Sequence, residues 1–282
     1  MSKGVKALLL VIHPSRPEAK KAAVELAQLL TKKSIQVFSS VEIPGAVSFQ
    51  EQNVEMAVVL GGDGTMLRAA EIFRGRKVPI LGINLGHVGF LAEIEKPSLA
   101  EVAVAIATGS FTVEERMSLN YKLIRENKVI QSGWALNEVL VERNDHQMID
   151  TFVQIDHRPL SRWWCDSVIC ATPTGSTAYA YSAGGPVVWP EVDALVLLPL
   201  AAHALFSRPM VVSPNSEIVL DLASDSADLN ADGIRRVKLI RNDRVVLTSD
   251  KEDVLLAHIK SATFTDRLVA KFKLPVEGWR GE

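Results

Sequence analysis

Cysteine is scarce in this chain. Its 282 residues hold only Cys165 and Cys170, too few for a disulfide framework or a four-cysteine zinc site. On one interior strand, side chains five apart point to opposite faces, so the pair is not expected to meet. Buried thiols in a reducing cytoplasm are the better expectation. An excess of one charge is missing too: the formal net charge is -2, which argues against a basic nucleic-acid surface. No segment reaches the roughly 20 apolar residues of a membrane span. Ala194 to Phe206 comes nearest and is interrupted by Pro199 and His203. The apolar run after the basic start ends at His13-Pro14 with no small-residue cleavage site. It is expected to be a first buried strand rather than a leader. The sequence has no Gly-x-x-x-x-Gly-Lys-Ser/Thr phosphate loop. It also has no internal repeat, low-complexity tract or long charge run.

The length is enough for one large domain or two ordinary ones, and a hydrophobic content of 48% supports a full core. Up to about residue 110, apolar runs (Ala7–Ile12, Gln36–Ser39, Val58–Leu60, Val78–Asn84) alternate with helical patterns (Pro17–Leu30, Met66–Phe73, Leu99–Ala107). That alternation predicts an α/β N-terminal domain, Rossmann-like, with a parallel sheet. Beyond Phe111 short strands predominate, including Leu119–Arg125 and Val129–Trp134 around Glu126-Asn127-Lys128, then Ala135–Val141 and Ser167–Ala171. They predict an all-β antiparallel, sandwich-like C-terminal domain. The expected division is 1–113 and 114–262, with the tail 263–282 returning to the first domain.

The first domain is organised around Ala57 to Ala70. Ala57 to Leu60 reads as a buried parallel strand, Gly61-Gly62-Asp63-Gly64-Thr65 as a turn, and Met66 onward as a helix. Glycines there permit positive φ and close approach of a ligand to the backbone, and a helix start suits an anion. Gly61, Gly62, Gly64 and Thr65 are therefore phosphate-binding candidates. Asp63 suits a cation, a substrate hydroxyl, or merely a helix cap.

Four further stretches stand out. Asn84-Leu85-Gly86-His87-Val88-Gly89-Phe90-Leu91 follows a strand, at the edge where open α/β sheets form their ligand crevice. Phe90 either stacks on a base or fills core. Asn137 and Glu138 interrupt an apolar strand, and an amide beside a carboxylate suits ribose and adenine. Thr172-Pro173-Thr174-Gly175-Ser176-Thr177-Ala178-Tyr179 crowds small hydroxyls into a turn, with Ser176 a candidate helix cap. Asp232-Gly233 is a common hairpin turn.

Taken together and in this order, these motifs resemble those of the NAD kinases. That family's marks are Gly-Gly-Asp-Gly-Thr, Asn-Leu-Gly-x-x-Gly-Phe-Leu, an Asn-Glu pair, and Thr-Pro-Thr-Gly-Ser-Thr-Ala-Tyr continued by Ser-Ala-Gly-Gly-Pro. All of them occur between about residues 60 and 190. The tail residues Phe264–Leu268 and Gly278-Trp279-Arg280-Gly281 look like those of some bacterial members. The resemblance implies transfer of the terminal phosphate of ATP to the 2′-hydroxyl of the adenosine ribose of NAD, with the dinucleotide bound between the domains. It implies that Asp63 meets that hydroxyl as proton acceptor. Gly64 would lie beside it, and Arg68 would approach the dinucleotide. Asn137 and Glu138 would bind base and ribose, and Asp166 would hold the nicotinamide end. Thr177, Ala178, Tyr179 and Ser182 would wrap the adenosine, and Ala201 would line the nicotinamide pocket. Mg2+ would be held mainly by ATP, and polyphosphate is left open as an alternative donor. A homodimer or homotetramer is expected, through the edge strands of the β-rich half. Two departures are Ser167, where the family commonly has glycine, and Trp163-Trp164-Cys165, where some members carry an arginine. Asp232 is carried over only weakly.

Two rival functions account for parts of this set. A lipid or sugar kinase explains Gly61 to Thr65 but not Asn137-Glu138 or the Thr172 to Tyr179 loop. A non-catalytic NAD sensor explains the adenosine loops but gives Asp63 no role.

Overall fold

The computed structural model describes residues 4–49, 53–85, 89–92, 98–260 and 263–275. Gly86-His87-Val88, the basic start up to Lys3 and the tail motif Gly278–Gly281 lie outside them. The chain forms two compact units. One takes the chain up to Glu115 and again from Val254; the other is Arg116–Asp253.

The first unit opens with β1 (Ala7–Ile12), α1 (Pro17–Thr31), β2 (Gln36–Ser39) and β3 (Val47–Ser48). It continues with β4 (Met56–Leu60), α2 (Asp63–Ile72), β5 (Ile80–Ile83), α3 (Leu99–Thr108) and β6 (Thr112–Arg116). All five residues of β4 are buried, as a central parallel strand covered on both faces requires. Ser98 and Glu101 form a capping box at the start of α3, and Gly109 at φ 70° ends it.

The second unit holds β7 (Leu119–Arg125), β8 (Lys128–Ala135), β9 (Glu138–Glu142), β10 (Ile149–Ile155), β11 (Arg158–Cys165) and β12 (Ser167–Ala171). After a 3-10 turn at Gly175–Thr177 come α4 (Tyr179–Ser182), β13 (Leu195–Leu200), β14 (Met210–Val212), β15 (Ile218–Leu222), β16 (Ser226–Ala231), β17 (Arg235–Ile240) and β18 (Arg244–Ser249). The chain then returns to the first unit as β19 (Val254–His258) and α5 (Phe264–Phe272).

Among the described residues the first unit has one seven-stranded sheet, ordered β3-β2-β1-β4-β5-β19-β6. The β1–β2, β1–β4, β4–β5 and β5–β19 pairs are parallel. Strand order reverses direction between β1 and β4, a switch point whose strand C-termini open a crevice in this class of fold. β19 is an inner strand of that sheet, although the sequence places it with the second half.

The second unit is a sandwich of two six-stranded sheets, β11-β10-β15-β18-β7-β8 and β14-β13-β12-β9-β16-β17. Every pair recorded in them is antiparallel. One core joins Tyr121, Val153 and Leu247 of one sheet to Val139, Cys170 and Leu229 of the other. Cys165 and Cys170 are both free in this core, and burial pushes each thiol up to about 12. The β7–β8 hairpin turns on two residues, Glu126 and Asn127, both at positive φ.

Candidate active site

In the first unit, β4 delivers Gly61 and Gly62 to the start of α2. Gly62 is the N-cap at φ −103° and ψ −169°. None of Gly61, Gly62 or Gly64 adopts positive φ, so the conformational reason for glycine anticipated from the sequence does not apply. Space is the better reason. A Cβ built on Gly62 or Gly64 meets nothing within 4 Å. Neither the protein's own packing nor its backbone requires these glycines, and the open space suits a ligand approaching the helix N-terminus.

Asp63 opens α2, and both of its carboxylate oxygens accept backbone hydrogen bonds. The Phe90 N–H donates to Oδ2 and the Leu91 N–H to Oδ1, each at 3.2 Å. A Cβ on Gly89 would run into this carboxylate, so glycine there admits the close approach. Thr65 is buried, while Arg68 is exposed on α2. Phe90 takes the second of its two expected places. Its ring is 7% exposed and packs against Phe264 at 6.0 Å and Phe272 at 5.7 Å, centroid to centroid. It fills core beneath α5, and its contribution to Asp63 is its backbone N–H rather than a stacking face.

In the second unit, Asn137 and Glu138 stand at a break between β8 and β9. The break is made by Asp232, whose carboxylate accepts the N–H groups of Leu136 at 2.7 Å, Asn137 at 2.7 Å and Glu138 at 3.3 Å. Asp232 does also sit in a tight turn: it and Gly233 have φ of 54° and 68°, and the Ile234 N–H donates to the Ala231 carbonyl at 3.0 Å. Its clamp on Leu136–Glu138 is the role that the sequence did not disclose, because nothing local links residues so far apart. Arg235 Nη1 lies 3.7 Å from Asp232 and its guanidinium lies over Trp134 at 4.7 Å.

The hydroxyl-rich stretch is tied to the same break. Thr172 Oγ1 donates to the Leu136 carbonyl at 2.6 Å and accepts the Gly175 N–H at 3.1 Å. A Cβ on Gly175 would run into the Asn137 carbonyl. Ser176 Oγ donates to Pro173 O at 2.7 Å and accepts the Val188 N–H at 2.9 Å, so it braces the turn and caps no helix. Thr172, Thr174 and Ser176 are buried, so these three hydroxyls are held within the protein. Thr177 and Ala178 are half-buried, and Tyr179 and Ser182 are exposed.

Glu138 is 7% exposed, and its Oε2 has no hydrogen-bond partner. Burial first, and then the charge of Asp232, push its carboxyl up to about 8, against the Tyr179 backbone N–H, which lowers it. Burial raises Asp232 as well, but three amides and Arg235 favour its charged form. Of the two acids, Glu138 is the one whose surroundings favour the protonated form.

Asp166 lies between β11 and β12, with Oδ1 3.2 Å from Arg143 Nε. A guanidinium thus reaches this acid from the end of β9, although Trp163-Trp164 precedes it in sequence. Ser167 is 3% exposed, and its Oγ has no partner. Ala201 is exposed at φ 52° just after β13. Within the second unit the fold brings Asn137, Glu138 and the Thr177–Tyr179 turn together. Asp166 and Ala201 lie at the opposite ends of β12 and β13 from that turn, because β12 runs from Ser167 to Ala171 before the turn begins.

The sequence matches the ATP-NAD kinase N-terminal domain over residues 38–111 and the ATP-NAD kinase C-terminal domain over residues 136–259. It is 44% identical to an NAD kinase of Thermobifida fusca over 301 residues, covering 98% of this chain and 92% of that protein. It is 42% identical to NAD kinase 2 of Streptomyces avermitilis, covering 98% of this chain and 97% of that one. Among solved structures it is similar to an Archaeoglobus fulgidus NAD kinase in complex with ATP. The TM-score there is 0.74 at 27% identity, over 95% of this chain and 98% of that chain. Yeast NADH kinase complexed with NADH shares the fold, with a TM-score of 0.89 at 21% identity over 100% of this chain and 91% of that one.

Proposed function

The chain belongs to the NAD kinase family, and from that premise we infer how its residues phosphorylate NAD to NADP. The observation that carries the reading is Asp63, held by two backbone amides at the start of α2 between two glycines whose missing side chains leave open space. The 2′-oxygen of the adenosine ribose attacks the γ-phosphorus of ATP. The bond from that phosphorus to the bridging oxygen breaks, and ADP leaves. The hydroxyl proton passes to the Asp63 carboxylate. Because such transition states are loose, orientation of the hydroxyl contributes more than removal of its proton. The amides at Gly62 and Gly64, with Thr65, receive phosphate oxygens; the Gly61 N–H already donates to the Ile83 carbonyl at 3.3 Å, so Gly61 serves by shaping the turn, and Arg68 faces the dinucleotide. Asn137 and Glu138 take the ribose and base, Thr177, Ala178, Tyr179 and Ser182 the adenosine, and Asp166 and Ala201 the nicotinamide end. Phe90 serves through its backbone.

Mg2+ supplies charge neutralisation on the triphosphate when it is bound with ATP. Among the described residues no three His, Cys, Asp or Glu side chains converge on a metal position. Asp63 at the start of α2 would add one carboxylate donor to an ion held chiefly by phosphate oxygens. The two units are taken as the working domains, the second carrying most NAD contacts. We further propose a cytoplasmic homodimer or homotetramer. Exposed Trp164, Phe206 and Val211 in the second unit support self-association, and no described helix is long and apolar enough to cross a membrane. Light scattering giving only the 30.8 kDa mass of one active chain would refute the assembly.

A coupled assay for NADP with ATP, Mg2+ and NAD tests the activity. NADP formation above blank is expected. Measurable NAD binding by folded protein with no NADP formed would favour a sensor instead. Replacing ATP by polyphosphate in the same assay decides the donor.

A further inference from the structure

Behind Asp63 stands a row of polar side chains, of which Arg267 and His258, from the far end of the chain, are buried and Glu114, on β6, is partly exposed. Arg267, on α5, is 3% exposed. Its Nη1 donates to the carbonyls of Phe90 at 3.2 Å and Ala92 at 2.9 Å. Its Nη2 lies 3.0 Å from His258 Nδ1, and His258 Nε2 lies 3.2 Å from Glu114 Oε2. A guanidinium has donors only, so Nδ1 must accept, and the imidazole proton sits on Nε2 facing the Glu114 carboxylate. The row Glu114, His258, Arg267 is thereby ordered in one hydrogen-bonding direction.

The Phe90 carbonyl and the Leu91 N–H belong to one peptide group. On its carbonyl side is the Arg267 guanidinium; on its N–H side is Asp63 Oδ1. A cation on the carbonyl polarises the peptide and strengthens its N–H as a donor, as hydrogen bonds in series do. The second bond, to Ala92 O, fixes the segment on the other side of Leu91. We propose that Arg267, oriented by His258, is a positioning residue for phosphoryl transfer. It holds and polarises the peptide that presents Asp63 to the substrate hydroxyl. This rests on the catalytic reading of Asp63 given above.

An anchoring role alone would affect stability without regard to Asp63, and a double-mutant cycle separates the two. Arg267→Met, Asp63→Asn and the double variant are compared by kcat, KM for NAD and thermal melting. Arg267→Met is expected to lower kcat about tenfold or more while leaving KM for NAD within about twofold, a loss confined to the transition state. In the Asp63→Asn background the same substitution should change kcat less than about twofold, since the group it acts through is already gone. Arg267→Lys keeps a donor for the carbonyls and should recover part of the loss. If Arg267→Met does not fold, the cycle is run with His258→Leu, and His258→Asn, which returns an acceptor near Nδ1, should restore turnover. Equal fold-losses in both backgrounds, or full kcat in folded Arg267→Met, would overturn the proposal. Absence of NADP formation by the unaltered enzyme would instead overturn the activity on which it stands.

Discussion

Asp232 accepts the backbone N–H of Glu138 at 3.3 Å and also raises the proton affinity of that residue's own carboxyl. The same acid that shapes the break in the strand thus helps to set the protonation state of the group presented there. Burial is the larger cause, and together they push Glu138 up to about 8.

If the Glu138 carboxylate accepts ribose hydroxyls, NAD binding below pH 8 must expel its proton. Calorimetric titration at pH 6.5 in two buffers of different ionisation heat should show about one proton released per NAD bound, lost in Glu138→Gln. Affinity should rise with pH and level off near 8. Binding that is tight but proton-neutral would contradict this. For the free enzyme the sign is opposite. Glu138 has a folded value above its unfolded one, so its contribution to stability is full below the ordinary carboxylate range and is lost as pH rises toward 8.

Asp63→Asn should lower turnover about 10²-fold or more, with NAD affinity little changed. The amide keeps one acceptor but points its NH2 at one of the two backbone donors, Phe90 or Leu91. A stability loss of about 1 kcal/mol is expected from that mismatch. Steady-state kinetics and melts read both effects, and near-normal turnover would remove Asp63 from the chemistry.

Gly64→Ala should leave the melt unchanged or slightly raised, since its Cβ enters open space and alanine favours a helix. KM for ATP should rise about tenfold, because that space is where phosphate comes closest to the backbone. Gly61→Ala should do the reverse and destabilise the fold, since its Cβ would run into the Thr65 side chain. Unchanged kinetics in Gly64→Ala would place the triphosphate elsewhere.

Asp166→Asn should raise KM for NAD more than it lowers kcat, as loss of ground-state binding does. Its ion pair with Arg143 is half exposed, so little stability depends on it. A kcat defect at constant KM would give Asp166 a different role.

The strands were legible where burial on both faces makes an apolar run, as in β4, or where a turn punctuates a hairpin, as at Glu126-Asn127. They were illegible where pairing is set from outside the segment. β11 begins Arg158-Pro159-Leu160-Ser161-Arg162 and shows no clean alternation. Ala135 to Val141 reads as one strand because Leu136 continues the apolar run, yet Asp232 clamps the backbone there. The site was legible as a set of motifs, but which atoms of each motif do what was not. Phe90 shows its backbone to Asp63 and its ring to α5. Arg267 belongs to the tail motif Phe264–Leu268, but only the folded chain brings it to the Phe90 carbonyl.

The position of β19 bears on how the molecule is made. β5 and β6 are both complete once Arg116 is synthesised, but the strand that separates them in the sheet begins at Val254. At about 5–20 residues per second, the ribosome spends on the order of ten seconds on the intervening stretch. Throughout that interval β5 presents an unpaired inner edge, of the kind that other chains can pair with. A nascent chain stalled within the second unit should therefore be the form that cellular holdases bind.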